Sequence, residues 1–202
     1  MSITLIVGCM FAGKSTKLHK RYKKTYLKYP DKTICLVPSI DTRYTKTPLS
    51  VSHDGSQIYA KHVTSLETDP TGIENAQYIF IDEGQFLKGL SDFCIRQKRA
   101  GKDVTIAALN SDCLGNAWPE IDALVPVHVS SYIALTAVCV VCRKDAFYSR
   151  KLKSSAGVKD IIDVGGSEKY VPVCLQHFED TEPIPASVLE KHKNDLNKLI
   201  VV

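Results

Sequence analysis

The sequence predicts an α/β fold, a parallel sheet with flanking helices, followed by a small separate lobe. Three observations carry this reading. Short apolar runs alternate with helix-spaced segments over residues 1–130. A glycine-rich segment joins the first run to the first helical segment. Residues 134–178 then change character, with short β-like pieces, a Gly165-Gly166 pair and three cysteines.

Taken in order, residues 2–8 form an apolar strand that ends in glycine. Over 14–29, Leu18, Tyr22, Tyr26 and Tyr29 recur at helical spacing, and Lys17, Lys20, Arg21, Lys23, Lys24 and Lys28 between them make a solvated face. Thr33–Val37 is a second strand, closed by Pro38. From Tyr44 to about Gln57 the chain is polar, contains Pro48 and Gly55, and is expected to be a mobile loop. Tyr78–Ile81 is a third strand, 89–100 a helix stopped by Gly101, and Val104–Leu109 a fourth strand. Leu124–Val129 is expected to be the fifth. In the tail, Pro183 and Pro185 precede Val188, Leu189, Leu196, Leu199 and Ile200, a pattern for one terminal helix.

Composition narrows the classes. The 202 residues are 44% hydrophobic and 24% charged, enough for a normal core without staples. The net charge of +4 tolerates an anionic ligand but does not by itself argue for nucleic acid. Neither a membrane span nor a signal peptide is visible, so a cytoplasmic protein is expected. Seven cysteines, an odd number without a secretion signal, read as free thiols plus a metal site.

Two segments carry chemistry. Gly8-Cys9-Met10-Phe11-Ala12-Gly13-Lys14-Ser15 fits G-x-x-x-x-G-K-[ST], between a strand and a helix. Its glycines let the backbone N–H groups turn inward round phosphates, Lys14 reaches the outer phosphates, and the Ser15 hydroxyl meets magnesium. The fold class is therefore a P-loop (RecA-like) parallel sheet. Ile79-Phe80-Ile81-Asp82-Glu83 is an apolar strand ending in two acids. Asp82 at that carboxyl edge suits the magnesium shell. Glu83, pointing the other way, could accept a proton from an attacking hydroxyl.

Together with the P-loop, Asp82-Glu83-Gly84-Gln85-Phe86 resembles the type II thymidine kinases, the cellular and poxvirus-like family. The likeness continues in Asp41-Thr42-Arg43-Tyr44, His53-Asp54 and Ala107-Ala108-Leu109. It resumes in Leu135-Thr136-Ala137-Val138-Cys139-x-x-Cys142 and Gly165-Gly166-x-x-Lys169-Tyr170-x-x-x-Cys174, in the family's order over residues 3–178. The resemblance implies transfer of the ATP γ-phosphate to the 5′-hydroxyl of thymidine, with Glu83 as general base. Asp41, Asp82 and Ser15 would serve Mg²⁺. Gly8, Ala12, Gly13, Lys14, Ser15, Thr16 and Arg43 would hold ATP. Met10, Phe86, Trp118, Ser149, Gly165 and Tyr170 would line the nucleoside site, the last three in a lasso that closes over thymine. The family also implies a homotetramer and feedback inhibition by thymidine triphosphate (dTTP). The chain divides on this reading into a P-loop nucleotide-binding kinase domain (1–133), a zinc-binding lobe with the lasso (134–178) and a C-terminal tail (179–202).

Two places depart from the family. The loop after Asn110-Ser111 has Cys113 and Trp118 where the family has phenylalanines, and Gly115 where it has arginine. That leaves deoxyuridine or another deoxynucleoside open as substrate. The second cysteine pair reads Cys174-Leu175-Gln176-His177. Zinc accepts thiolate and imidazole alike, so Cys139, Cys142, Cys174 and His177 are the expected ligands of a structural Zn²⁺. Cys35 and Cys94 read as buried, inert thiols. His19, His62 and His128 have no partner pattern and receive no role, while His53 sits in an expected lid. A rival of another class, a nucleic-acid-binding P-loop ATPase, would need a basic stripe interleaved with aromatics in 134–178; the basic residues there are scattered. Membrane and nucleic acid are therefore not expected as partners.

Overall fold

The structure is a computed structural model of the chain. It describes residues 1–40, 48–52, 54–125, 128–152, 166 and 168–200, the last four of these by backbone alone. The strands are β1 (Ile3–Gly8), β2 (Thr33–Pro38), β3 (Leu49–Val51), β4 (Gln57–Tyr59), β5 (Lys61–Val63), β6 (Tyr78–Ile81), β7 (Asp103–Leu109), β8 (Ser131–Leu135), β9 (Ala137–Val138), β10 (Asp145–Ala146), β11 (Tyr148–Lys151) and β12 (Tyr170–Val173). The helices are α1 (Lys14–Tyr26), α2 (Leu90–Arg99), α3 (Pro119–Asp122), α4 (Leu175–Glu179) and α5 (Ala186–Ile200).

Six strands form one parallel sheet in the order β5-β2-β6-β7-β1-β8. All six residues of β1 are buried, as a strand covered on both faces requires. Its side chains alternate between the two layers. Ile3, Leu5 and Val7 join Leu36, Leu87, Leu90 and Phe93 on one face, while Ile6 joins Leu18, Tyr22 and Phe80 under α1 on the other. Phe93 and Leu18 are fully buried, each the kind of side chain whose burial stabilises by roughly 1.5–3 kcal/mol. Gly89 is the N-cap of helix α2, and the Glu120 carboxylate of α3 accepts from Gly89 N (2.8 Å) and Ser91 N (2.9 Å). That carboxylate meets both the unpaired N–H groups and the positive end of α2.

Three expectations are corrected, and one strand was not foreseen. The fifth strand is not Leu124–Val129 but β8, Ser131–Leu135. Leu124 closes the turn after α3 and is buried in the core, and Pro126 would break a ladder. At the sheet edge β8 buries little, which hid its signal. Helix α1 ends at Tyr26, not Tyr29, because the residue before Pro30 is driven out of the helical region (φ −139°). Tyr29 stacks instead on Tyr78, centroids 5.0 Å apart. Much of the expected loop 44–57 is an antiparallel hairpin of β3 and β4, its strands too short to register as a period. Lys61–Val63, with no strand signal of its own, is the edge strand beside β2.

After β8 come two small antiparallel pairs, β9–β10 and β11–β12. Ala137, Cys139, Val171 and Val173 form their core, against which Val188 and Leu189 of α5 pack. Among the described residues no helix is long and apolar enough to cross a membrane.

Candidate active site

The carboxyl ends of β1 and β6 point to the same edge, with β7 between them. Ligands bind at such an edge in open parallel sheets. β1 delivers the P-loop. A side chain at Gly8 would lie 2.5 Å from the Leu135 carbonyl oxygen of β8, so only glycine fits there. Gly13, at φ 80°, takes the left-handed conformation that lets α1 begin at Lys14. The buried Lys14 ammonium donates to the Cys9 carbonyl at 2.8 Å, folded back over its own loop.

β6 delivers Asp82, which is buried, and the Ser15 hydroxyl donates to its Oδ1 at 3.0 Å. The two residues lie 67 positions apart in sequence, yet their oxygens converge. A hydroxyl and a carboxylate side by side are hard oxygen donors of the kind magnesium takes, so the residues present fit that ion. Glu83 follows at φ 52°, a left-handed conformation rare outside glycine. Its N–H donates to Asp82 Oδ1 (3.1 Å), and its carboxylate accepts from Gln85 Nε2 (2.7 Å). Gln85 is buried and its Oε1 accepts from Leu109 N at 3.0 Å, so the Glu83 carboxylate is braced against β7.

Sequence reasoning missed two members of this cluster. His19, given no role, is fully buried on α1, with Nε2 2.8 Å from the Ser50 Oγ and 3.7 Å from Asp82 Oδ2. Ser50, on β3, donates to Asp82 Oδ2 at 3.0 Å. The available signal was spacing: His19 stands four residues after Ser15, on the same helix face.

The lobe leans on the P-loop. Met10 N donates to the buried Ser149 Oγ (2.9 Å), and the Cys9 thiol to the Ala146 carbonyl (3.3 Å). Burial pushes the Cys9 thiol up against the opposing pull of Lys14, keeping it protonated. Asn110 Nδ2 donates to the Phe147 carbonyl at 2.8 Å. Tyr170, on β12, is buried beside β11, the strand that carries Ser149. Phe86 and Trp118 meet edge to face, centroids 5.6 Å apart. The altered loop is braced from within: the buried Asp112 carboxylate accepts from Leu114 N, Asn116 N and Asn116 Nδ2. Gly115 there has φ 86° and faces the Phe178 ring. Thr16 opens α1 beside Ser15, and Ala12 packs against the lobe. The expected site residues Asp41, Arg43 and Gly165, and His53, lie outside the described residues.

Cys139, Cys142, Cys174 and His177 come together, their ligand atoms all within 4.8 Å of one another. Cys142 Sγ lies 3.6 Å from Cys174 Sγ, and His177 Nδ1 lies 3.6 Å from Cys139 Sγ and 3.2 Å from Cys174 Sγ. Ligands of tetrahedral zinc stand ~3.3–3.8 Å apart, so this Cys₃His set could hold a metal such as zinc. Although burial works against the Cys139 thiolate, hydrogen bonds from the backbone of Cys142, Cys174 and Val141 and from the Cys142 thiol bring its pKa down to about 6. A thiolate is the form a metal needs.

The sequence family described as "Thymidine kinase" matches residues 1–178. The chain is 34% identical over 197 residues to bovine "Thymidine kinase, cytosolic", covering 96% of this chain and 79% of that protein. It is 36% identical over 178 residues to "Thymidine kinase" of rabbit fibroma virus, covering 87% and 95%. With "Thymidine kinase" of Amsacta moorei entomopoxvirus it shares 33% over 180 residues, covering 86% and 96%.

Proposed function

The chain belongs to the thymidine kinase family, and on that premise we propose that it transfers the γ-phosphoryl group of ATP to the 5′-hydroxyl of thymidine, giving thymidine monophosphate and ADP. The observation that carries the reading is the convergence of P-loop Ser15 on Asp82, with Glu83 beside it. Phosphoryl transfer asks a protein for positioning and charge neutralisation rather than covalent chemistry. The loop amides of Gly8–Gly13 and the Lys14 ammonium bind the phosphates, and the positive end of α1 adds to them. Thr16 and Arg43 complete that set. Ser15, Asp82 and Asp41 hold Mg²⁺, which when bound neutralises charge on the phosphates. Glu83 accepts the proton of the thymidine hydroxyl. Its bond to Gln85 orients the carboxylate for that work.

Met10, Phe86 and Trp118 border the nucleoside, and Ser149, Gly165 and Tyr170 belong to the segment that covers it and excludes water. The division of labour follows the chain: 1–133 for nucleotide chemistry, 134–178 for the zinc-held cover, and 179–202 as an appended tail. The Cys₃His set supports a structural Zn²⁺, since a fourth protein ligand leaves no open position. Family membership supports a homotetramer and feedback by dTTP. The name of the bovine relative supports a cytoplasmic location.

The test separates binding from turnover. Glu83→Gln should lower kcat for thymidine by about 10²–10⁴, the usual range for a general base, with ATP binding retained. Unchanged turnover in that variant would remove Glu83 from the mechanism. Loss of both turnover and ATP binding would make it a structural residue.

A further inference from the structure

A fully buried imidazole needs a hydrogen-bonding reason to be there, and His19 has one that no general P-loop argument requires. The Ser50 hydroxyl carries a single proton and donates it to Asp82 Oδ2 at 3.0 Å. The 2.8 Å contact between Ser50 Oγ and His19 Nε2 must therefore be an N–H donated by histidine. That places a proton on Nε2. The other ring nitrogen, Nδ1, is buried without a hydrogen-bond partner among the described residues, so the Nε2 contact is what anchors the ring.

The chain His19 Nε2–H, Ser50 Oγ–H, Asp82 Oδ2 closes one side of the carboxylate. Ser15 Oγ at 3.0 Å and Glu83 N at 3.1 Å close the other side, at Oδ1. The terminal torsion of an aspartate is otherwise soft, so two fixed sides are what hold its plane. The β3–β4 hairpin that brings Ser50 is itself tied to α1, Lys23 Nζ donating to Ser56 Oγ at 2.8 Å. The Asp54 carboxylate accepts from Ser52 Oγ and Ser56 N. Burial works against the charged form of Asp54, but those bonds and one from Thr16 hold its carboxyl below the usual range.

We propose that His19 and Ser50 are positioning residues that set the plane of the Asp82 carboxylate, keeping Oδ1 turned to Ser15 and to the divalent ion both would share. The hairpin is then a working part of the site rather than a cover. This inference rests on the reading of Asp82 as a magnesium-shell residue.

The experiment measures Mn²⁺ affinity by electron paramagnetic resonance on the full chain with ADP present, together with KM for thymidine. Ser50→Ala removes one oxygen, and His19→Met removes the donor while filling the space; thermal melts verify that each is folded. Both should weaken Mn²⁺ by about tenfold, the usual cost of losing a group that orients a metal ligand, and leave KM for thymidine within about twofold. His19→Gln, which keeps an N–H near Nε2, should return Mn²⁺ affinity close to that of the parent. A purely structural role for His19 would be restored by Met as well as by Gln. Asp82→Asn distinguishes the two levels of the argument. If it weakens Mn²⁺ while Ser50→Ala and His19→Met do not, the positioning role is wrong and the metal role of Asp82 stands. If Asp82→Asn leaves Mn²⁺ affinity unchanged, the metal role itself fails.

Discussion

At the scale of single residues, the most telling feature is a backbone angle. Glu83 sits at φ 52°, a conformation that costs a non-glycine residue on the order of 1–3 kcal/mol. The carboxylate it presents is the proposed base, so the strain is spent on aim. Glu83→Gly should therefore keep or raise the melting temperature while turnover falls by about two orders of magnitude or more. A melting temperature several degrees lower would show the strain is compensated by packing around Glu83. The P-loop, Asp82 and Glu83 were legible in the sequence because each sits in a contiguous pattern. His19 and Ser50 were not: neither has a local pattern, and their meeting 31 residues apart depends on where the hairpin lands. Cys35 and Cys94 did read correctly as buried thiols, and burial pushes both well up from the ordinary range.

Between residues and molecule stand elements whose roles depend on what they touch. The lobe is small for its two strand pairs, and a metal at Cys139, Cys142, Cys174 and His177 would supply what its core lacks. Elemental analysis should find stoichiometric zinc, and Cys174→Ala should lower the melting temperature and raise proteolysis within 134–178. A metal-free protein with an intact lobe would contradict the zinc assignment. Helix α5 lies beyond the matched family segment, yet it packs on the lobe and sets the His192 ring edge-on to Phe11 of the P-loop at 5.2 Å. Burial holds the His192 imidazole below its usual range, with Asp195 opposing and Arg143 adding to the effect. The folded state thus disfavours the proton. Stability from this contact is full above the unfolded value of about 6.5 and is lost as pH falls through the lowered folded value. Proteolysis of the tail should accelerate as pH drops from 7 to 5, and His192→Phe should flatten that dependence; an equal response in the variant would assign it elsewhere. At this scale the sequence was a partial guide. Central strands such as β1 and β6 were readable because they are apolar throughout, whereas β5 and β8, at the edges, bury too little to leave a pattern.

The whole molecule places a P-loop, a carboxylate strand and a metal-ready lobe round one sheet edge, and only the fold brings them together. Strand order puts β1 and β6 two positions apart, and the bonds from Met10, Cys9 and Asn110 fasten the lobe to that edge. The parallel sheet and its lobe were foreseeable from alternation and cysteine spacing. The docking of the lobe on the P-loop was not, because it runs through backbone carbonyls and one buried serine. The 111–118 loop also reaches both parts, with Gly115 facing the Phe178 ring of the lobe and Trp118 edge to face with Phe86. The most direct measurement is the nucleoside monophosphate formed when the purified protein is given Mg·ATP with thymidine, deoxyuridine and other deoxynucleosides in turn. The proposed thymidine kinase activity requires that thymidine monophosphate and ADP appear in equal amounts and that thymidine gives the highest kcat/KM. ATP hydrolysis with no nucleoside phosphorylated would contradict it.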